Sequence, residues 1–417
     1  MRTRVKTALD DILATTTSRA GGAPGVVAMA TDRNGNFYEG AAGVRELGAD
    51  EPMALDAVML LASCTKALTG TALMQLVEEG ALSLDDPARE YVPDIAGIEV
   101  LDGFAADGTP KTRKPRTEIT LRHLMLHTSG MCYDFFSDDL LRFRTAREIP
   151  SILGCTRESI NDVLLHEPGE RWTYGCGIDW IGLTVEAMRG KRLGEVLAER
   201  VFAPLGMIDI AFNMTRDMRA RLATMHTRAR DGQLVAQPDI VLPQPPAMDM
   251  GGHGIYSTVG EYMKFIRMIL NDGEGPQGRV LKAETVREMA TNGLGALESG
   301  AWTSSNPDLA NSGDFFPGLP KGWSYTFQVN KEAAPTGRPA GQLSWAGLGN
   351  TDDWIDRENA GLPARMPPPF FPAPPVADAR QRQKFCEVHH DPSRNRRQYP
   401  YRACESPPRH VQSHPFG

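Results

Sequence analysis

The sequence predicts an α+β fold in which a sheet is assembled from both ends of the chain and a helical stretch is inserted between them. Three observations carry this reading. Near the start, "GVVAMATDRNGNFYEGAAGV" places two β-prone runs around a turn rich in Asp, Asn and Gly. From residue 66 to about 290 the apolar positions recur mostly at helical spacing. Strand character then returns in "GWSYTFQVN" and "GQLSWAGLGNTDDWIDR". Strands gathered at the ends and helices in the middle divide the chain into a sheet domain of two segments, 1–66 and 291–361, and a mainly helical domain, 67–290.

The elements follow in order. "MRTRVKTALDDILATTTSRAGG" reads as an amphipathic helix, with Val5, Leu9 and Ile12 near helical spacing. Residues 55–63 form a buried strand leading to Ser63. "TALMQLVEEGALSLDD" is a helix with Gly80 as its C-cap. "LRHLMLHTSG" is a short helix stopped at Gly130. "GIDWIGLTVEAMRGKRLGEVLAERVFAPLGM" holds two helices and a turn, and "TVGEYMKFIRMILNDG" is a further amphipathic helix.

The bulk numbers bound the function. The chain has 417 residues, 41% of them hydrophobic, enough for one large domain or two. A net charge of −7 and no long basic run before residue 380 argue against a nucleic-acid partner. No apolar run is long enough to span a bilayer, and the first residues lack an apolar signal core, so a cytoplasmic location is expected. Six cysteines stand without paired spacing, which fits free thiols in a reducing compartment.

The chemistry starts at "LASCTKALTG". Ser63 and Lys66 form a Ser-x-x-Lys, and at a helix start positions i and i+3 share a face. A serine hydroxyl needs a neighbouring base, and a buried lysine of lowered pKa can serve. By itself the pair also fits a helix N-cap serine beside a solvated lysine. His123 and His127 have i,i+4 spacing, but the glutamate of a zinc helix motif is missing, so both read as structural. Gly251, Gly252 and Gly254 read as a tight-packing loop, since no phosphate-binding lysine follows. Cys64 and Cys176 read as small fillers flanking the site. No metal or cofactor is expected.

Taken together, "SCTKALTG", "LRHLMLHTSGM", "EPGERWTYGCGIDWIG", "PLGM", "GGHGIYSTVGEYMKF" and "LSWAGLGNT" come in the order seen in the penicillin-binding-protein and class C β-lactamase superfamily. Residues 5 to 361 resemble above all its esterase branch, the family VIII carboxylesterases. The resemblance implies a β-lactamase/transpeptidase-like fold: an antiparallel sheet flanked by helices, an inserted all-helical domain, and the site between the two. It implies Ser63 as nucleophile, Lys66 as its partner, and Tyr174 as the base, activated by a nearby ammonium that favours the phenolate. It also implies an oxyanion hole from the backbone N–H groups of Ser63 and Leu348. Tyr133, Cys176, Trp345, Ala346 and Gly347 would border a small-molecule ester substrate. Two departures from the lactamase pattern matter. Cys176 stands where lactamases carry an asparagine, and Trp345-Ala346-Gly347 replaces Lys-Thr-Gly, so the carboxylate-binding lysine is absent. The function implied is a carboxylesterase for short-chain neutral esters. A β-lactamase or D-aminopeptidase, and a non-catalytic binding protein on the same fold, are the alternatives. The oligomeric state is not legible.

After Leu362 the composition changes abruptly to Pro- and Arg-rich text without helical or strand period. A disordered or loosely attached tail is expected over 362–417. A reading-frame change near residue 361 or a genuine lineage-specific tail would each explain it.

Overall fold

The computed structural model describes residues 3–19, 22–229, 233–307, 309–359 and the backbone of 371–372. The chain opens with helix α1 (Thr3–Ser18), followed by β1 (Gly25–Thr31) and β2 (Asn36–Gly43), antiparallel from Gly25↔Gly43 to Ala30↔Tyr38. This is the hairpin the turn residues predict. Leu9 and Leu13 of α1 are buried with Val26, Ala28 and Tyr38 in a small cluster of their own. β3 (Val58–Leu60) leads into α2 (Thr65–Glu78). The middle of the chain contributes α3 (Gly177–Arg189), β4 (Ile210–Ala211), β5 (Tyr256–Thr258) and α4 (Val259–Leu270). The last segment supplies β6 (Lys321–Trp323), β7 (Gln328–Asn330), β8 (Leu343–Gly347), β9 (Thr351–Ile355) and β10 (Phe371–Pro372).

β6 to β10 form one antiparallel sheet in sequence order, and β1 runs alongside β10, so both ends of the chain meet in the sheet layer. A second sheet has the order β3–β5–β4. The pairing Leu60↔Tyr256 joins the start of the chain to residue 256 and sets the position of everything that follows Leu60. α2 is buried from Thr65 to Leu76 and packs against α3, so it is a core helix covered on every face, with little amphipathic period to read. Leu68, Leu73 and Met74 on it are fully covered, each contributing about 1.5–3 kcal/mol by burial.

The structure adds two details and corrects one expectation. The helical middle contains hairpins, Val100–Phe104 with Pro110–Arg113 and Met225–Arg228 with Leu234–Gln237. Their strands are too short and polar to show a period of two. α4 also lies against β1. The strand expected over 55–63 covers only three residues, because the backbone turns at Ala62. The expectations for 362–417 lie outside the described residues, except that the backbone of 371–372 pairs with β9 through Asp352↔Phe371 and Thr351↔Pro372.

Candidate active site

The turn that carries Ser63 is built by strand pairing followed by an abrupt change of direction. Leu61 donates its N–H to Ile255 O at 2.8 Å, continuing the β3–β5 ladder one residue further. Ala62–Cys64 then form a 3-10 turn that runs into α2. Ala62 has φ +44°, a region that costs a residue with a β-carbon about 1–3 kcal/mol and that recurs at functional sites. The turn holds Ser63 at the N-terminus of α2, where free N–H groups and the helix dipole favour a negative charge. Lys66, one helical turn on, puts Nζ 3.1 Å from Ser63 Oγ, so the i,i+3 spacing produces the expected contact.

Lys66 is wholly buried. Besides Ser63 Oγ, its ammonium donates to Tyr133 OH at 3.0 Å and to Gly252 O at 2.7 Å. All three acceptors are uncharged oxygens. Burial pushes the Lys66 ammonium below its ordinary value, and the charge of Asp179 pulls it part of the way back.

Tyr174 is buried beside this centre. Its hydroxyl accepts the Trp345 Nε1–H at 2.9 Å and shares a hydrogen bond with Ser63. Burial nevertheless holds the phenol well above its ordinary value, and the bonds to Ser63 and Trp345 offset this only in part. Lys66 spends its donors on other oxygens and faces the flat side of the tyrosine, Nζ 4.8 Å from the ring centroid. Burial thus moves the two groups in opposite senses, making the lysine amine easier to deprotonate and the phenol harder.

Tyr133, expected at the border of the pocket, belongs to the hydrogen-bonded centre itself. Its ring stacks on Phe135 with centroids 5.0 Å apart. Gly175 explains how the two tyrosines come together. A Cβ there would lie 2.4 Å from Met131 O and 2.6 Å from Cys132 Cα, so only glycine lets the Tyr174 segment close on the Tyr133 segment. Cys176 is buried, with its thiol kept protonated by burial and by Asp162 and Asp179.

Trp345, Ala346 and Gly347 end β8, with the half-buried Leu348 next in the chain. A Cβ on Gly347 would stand 2.4 Å from Leu61 O, so the strand lies directly against the turn that carries Ser63. Thr351 Oγ1 donates to the same Leu61 O at 2.8 Å. The half-buried rings of Phe136, Trp172, Trp302 and Phe315 complete a wall around Tyr174 and Trp345, at centroid distances of 6.1–6.4 Å. Trp323 packs edge-on to Trp345 at 4.4 Å. Phe136 ends a short 3-10 turn, Trp302 bridges to Gly313 and Phe315 follows on a loop, segments too short to carry a pattern, and sequence reasoning did not find them.

With this geometry in place, the comparison with known families is decisive. The Beta-lactamase family model matches residues 5–367. The chain belongs to the Beta-lactamase family. Its fold is β-lactamase/transpeptidase-like, and it is an enzyme of the serine-hydrolase kind. It is 34% identical to the acyltransferase mokF of Monascus pilosus over 293 residues, 67% of this chain and 69% of that one. It is 35% identical to the lovastatin esterase of Penicillium rubens over 359 residues, 80% of this chain and 86% of that one. Unliganded simvastatin synthase (LovD) from Aspergillus terreus superposes with a TM-score of 0.76 at 27% identity, covering 91% of this chain and 96% of that one.

Other residues of this Beta-lactamase-family site escaped the sequence. Gly252 was read as packing, yet its carbonyl orients Lys66. Asp179, in "GIDWIG", gave no signal; it accepts the Gly252 N–H at 2.8 Å. His127 has φ +55° and is buried against Tyr174 and Trp323, with ring centroids at 4.7 and 5.1 Å. His123 caps its helix, with Nδ1 accepting from Thr120 N at 3.2 Å. The two histidines have separate local partners, and among the described residues no group of three His, Cys, Asp or Glu is arranged to hold a metal. No helix among them is long and apolar enough to cross a membrane.

Proposed function

We propose that the chain is a serine esterase that cleaves neutral esters of short acyl chains through a Ser63 acyl-enzyme. The observation that carries this is the contact of Ser63 Oγ with a buried lysine that has only uncharged hydrogen-bond acceptors. Lys66 in its neutral form takes the proton of Ser63, and Oγ bonds to the ester carbonyl carbon. The backbone N–H groups of Ser63 and Leu348 receive the oxyanion, a contribution of about 3–4 kcal/mol per donor in comparable sites. The intermediate collapses, the C–O bond to the alcohol breaks, and the Lys66 ammonium returns its proton to the leaving oxygen beside the Tyr174 hydroxyl. Water then attacks the acyl-enzyme with the same base. Trp345 favours neutral substrates, because it offers an aromatic face and one N–H, already given to Tyr174, where a carboxylate would need a cation. This argues against the β-lactamase reading.

A second reading is transfer of the acyl group to an alcohol. It is favoured by the name of the mokF relative and by the aromatic wall, which excludes water from the acyl-enzyme. A panel of p-nitrophenyl esters against nitrocefin tests the first reading, and added alcohols that divert product from acid to new ester test the second. Ser63→Ala is expected to abolish ester turnover and labelling by a phosphonate. Normal activity in that variant would refute the acyl-enzyme.

A further inference from the structure

Asp179 lies near the start of α3 and is wholly buried. Oδ1 accepts the Gly252 N–H at 2.8 Å, and Oδ2 is buried with no hydrogen-bond partner. A carboxylate with half its acceptors unused is expensive to bury, so the position calls for a reason beyond packing. The ionisable groups that face it are Lys66, His253, Cys176, Cys155, Tyr133 and Tyr174. His253 Nδ1 is 3.9 Å from Oδ1, but burial pushes that imidazole down to about 3, so it faces the carboxylate uncharged. The thiols and phenols are held protonated by burial, and the Asp179 charge adds to this. Lys66 is the cation of the set, and the two are joined through one residue, Gly252, which gives its N–H to Asp179 and its C=O to Lys66. In a dry interior this attraction is little screened by solvent or salt.

We propose that Asp179 is a positioning residue of the acylation step: it fixes Gly252 and, with it, the Lys66 amine, and its buried charge sets how readily Lys66 gives up its proton. The inference rests on Ser63 and Lys66 acting as proposed above. The sign follows directly. An anion beside Lys66 stabilises the ammonium, so removing it makes the amine neutral at lower pH.

The test is the rate of Ser63 labelling by a fluorophosphonate as a function of pH, with Ser63→Ala as the blank. Asp179→Asn keeps an acceptor for the Gly252 N–H. Its rising limb is expected to move to lower pH by about one unit or more. Well below the wild-type limb, each unit of that shift makes labelling about tenfold faster. Asp179→Ser, smaller and also uncharged, is read in the same way should the asparagine variant fail to fold. A purely structural role would slow labelling at every pH and leave the limb in place. A folded variant whose limb stays put or moves to higher pH overturns the proposal. Labelling that survives in Ser63→Ala instead refutes the acyl-enzyme on which the proposal stands.

Discussion

Two buried lysines show what separates a chemical amine from a structural one. Lys66 is 0% exposed and Lys321, at the start of β6, is 3% exposed, and each ammonium meets three oxygens. Lys321 holds Phe316 O at 3.2 Å, Leu319 O at 2.8 Å and the Asp314 carboxylate at 2.8 Å. It clamps the loop that brings Phe315 to the aromatic wall. Lys66 has no carboxylate in direct contact; its anion stands one residue away, behind Gly252. A direct ion pair makes the ammonium part of the scaffold, whereas three neutral acceptors leave its proton available.

The comparison is broken most severely at Lys66. Lys66→Met should lower kcat/KM by roughly 10³–10⁴-fold. Lys321→Met should act on stability instead. It strands a carboxylate that is one-quarter exposed, so a urea midpoint should report a loss of about 2–3 kcal/mol, while the folded fraction stays within a few-fold of wild-type activity. Equal effects on both measurements in the two variants would erase the distinction.

The pH profile sharpens the same contrast. Burial lowers the Lys66 value in the folded state, so the reactive amine accumulates as pH rises through that lowered value. The acid limb of kcat/KM should therefore inflect below the ordinary lysine range, and a limb at the ordinary value would contradict the buried-base account. Stability runs the same way. The cost of holding the ammonium is present at lower pH and disappears as pH rises from the folded toward the unfolded value. The smallest expected effect is that of Tyr133→Phe, which removes one of the three acceptors around Lys66. A loss of about tenfold in kcat, near 1.4 kcal/mol, is expected with KM little changed.

Legibility in the sequence followed the range of the interaction. The hairpin β1–β2 and the strands β8 and β9 were readable because a β-prone run and a turn are local features. The short strands inside the helical middle were not, because two to five residues carry no clear period. Ser63 and Lys66 were readable because one helical turn joins them. Tyr174 and Trp345 were readable only as ordered motifs, and their mutual hydrogen bond could not be foreseen from either. The role of Tyr133 was underestimated because nothing local distinguishes a phenol lining a pocket from one bonded to a buried amine.

The primary structure thus determined the chemical parts and their local spacing: a serine, a lysine one turn later, a tyrosine, and a tryptophan-alanine-glycine strand. The tertiary structure decided what surrounds the lysine. Those surroundings are set by burial and by Asp179, and Asp179 reaches Lys66 only through Gly252, 186 residues further along the chain. The antiparallel pairing of β3 with β5 makes that approach, and no spacing within a single helix or strand encodes it.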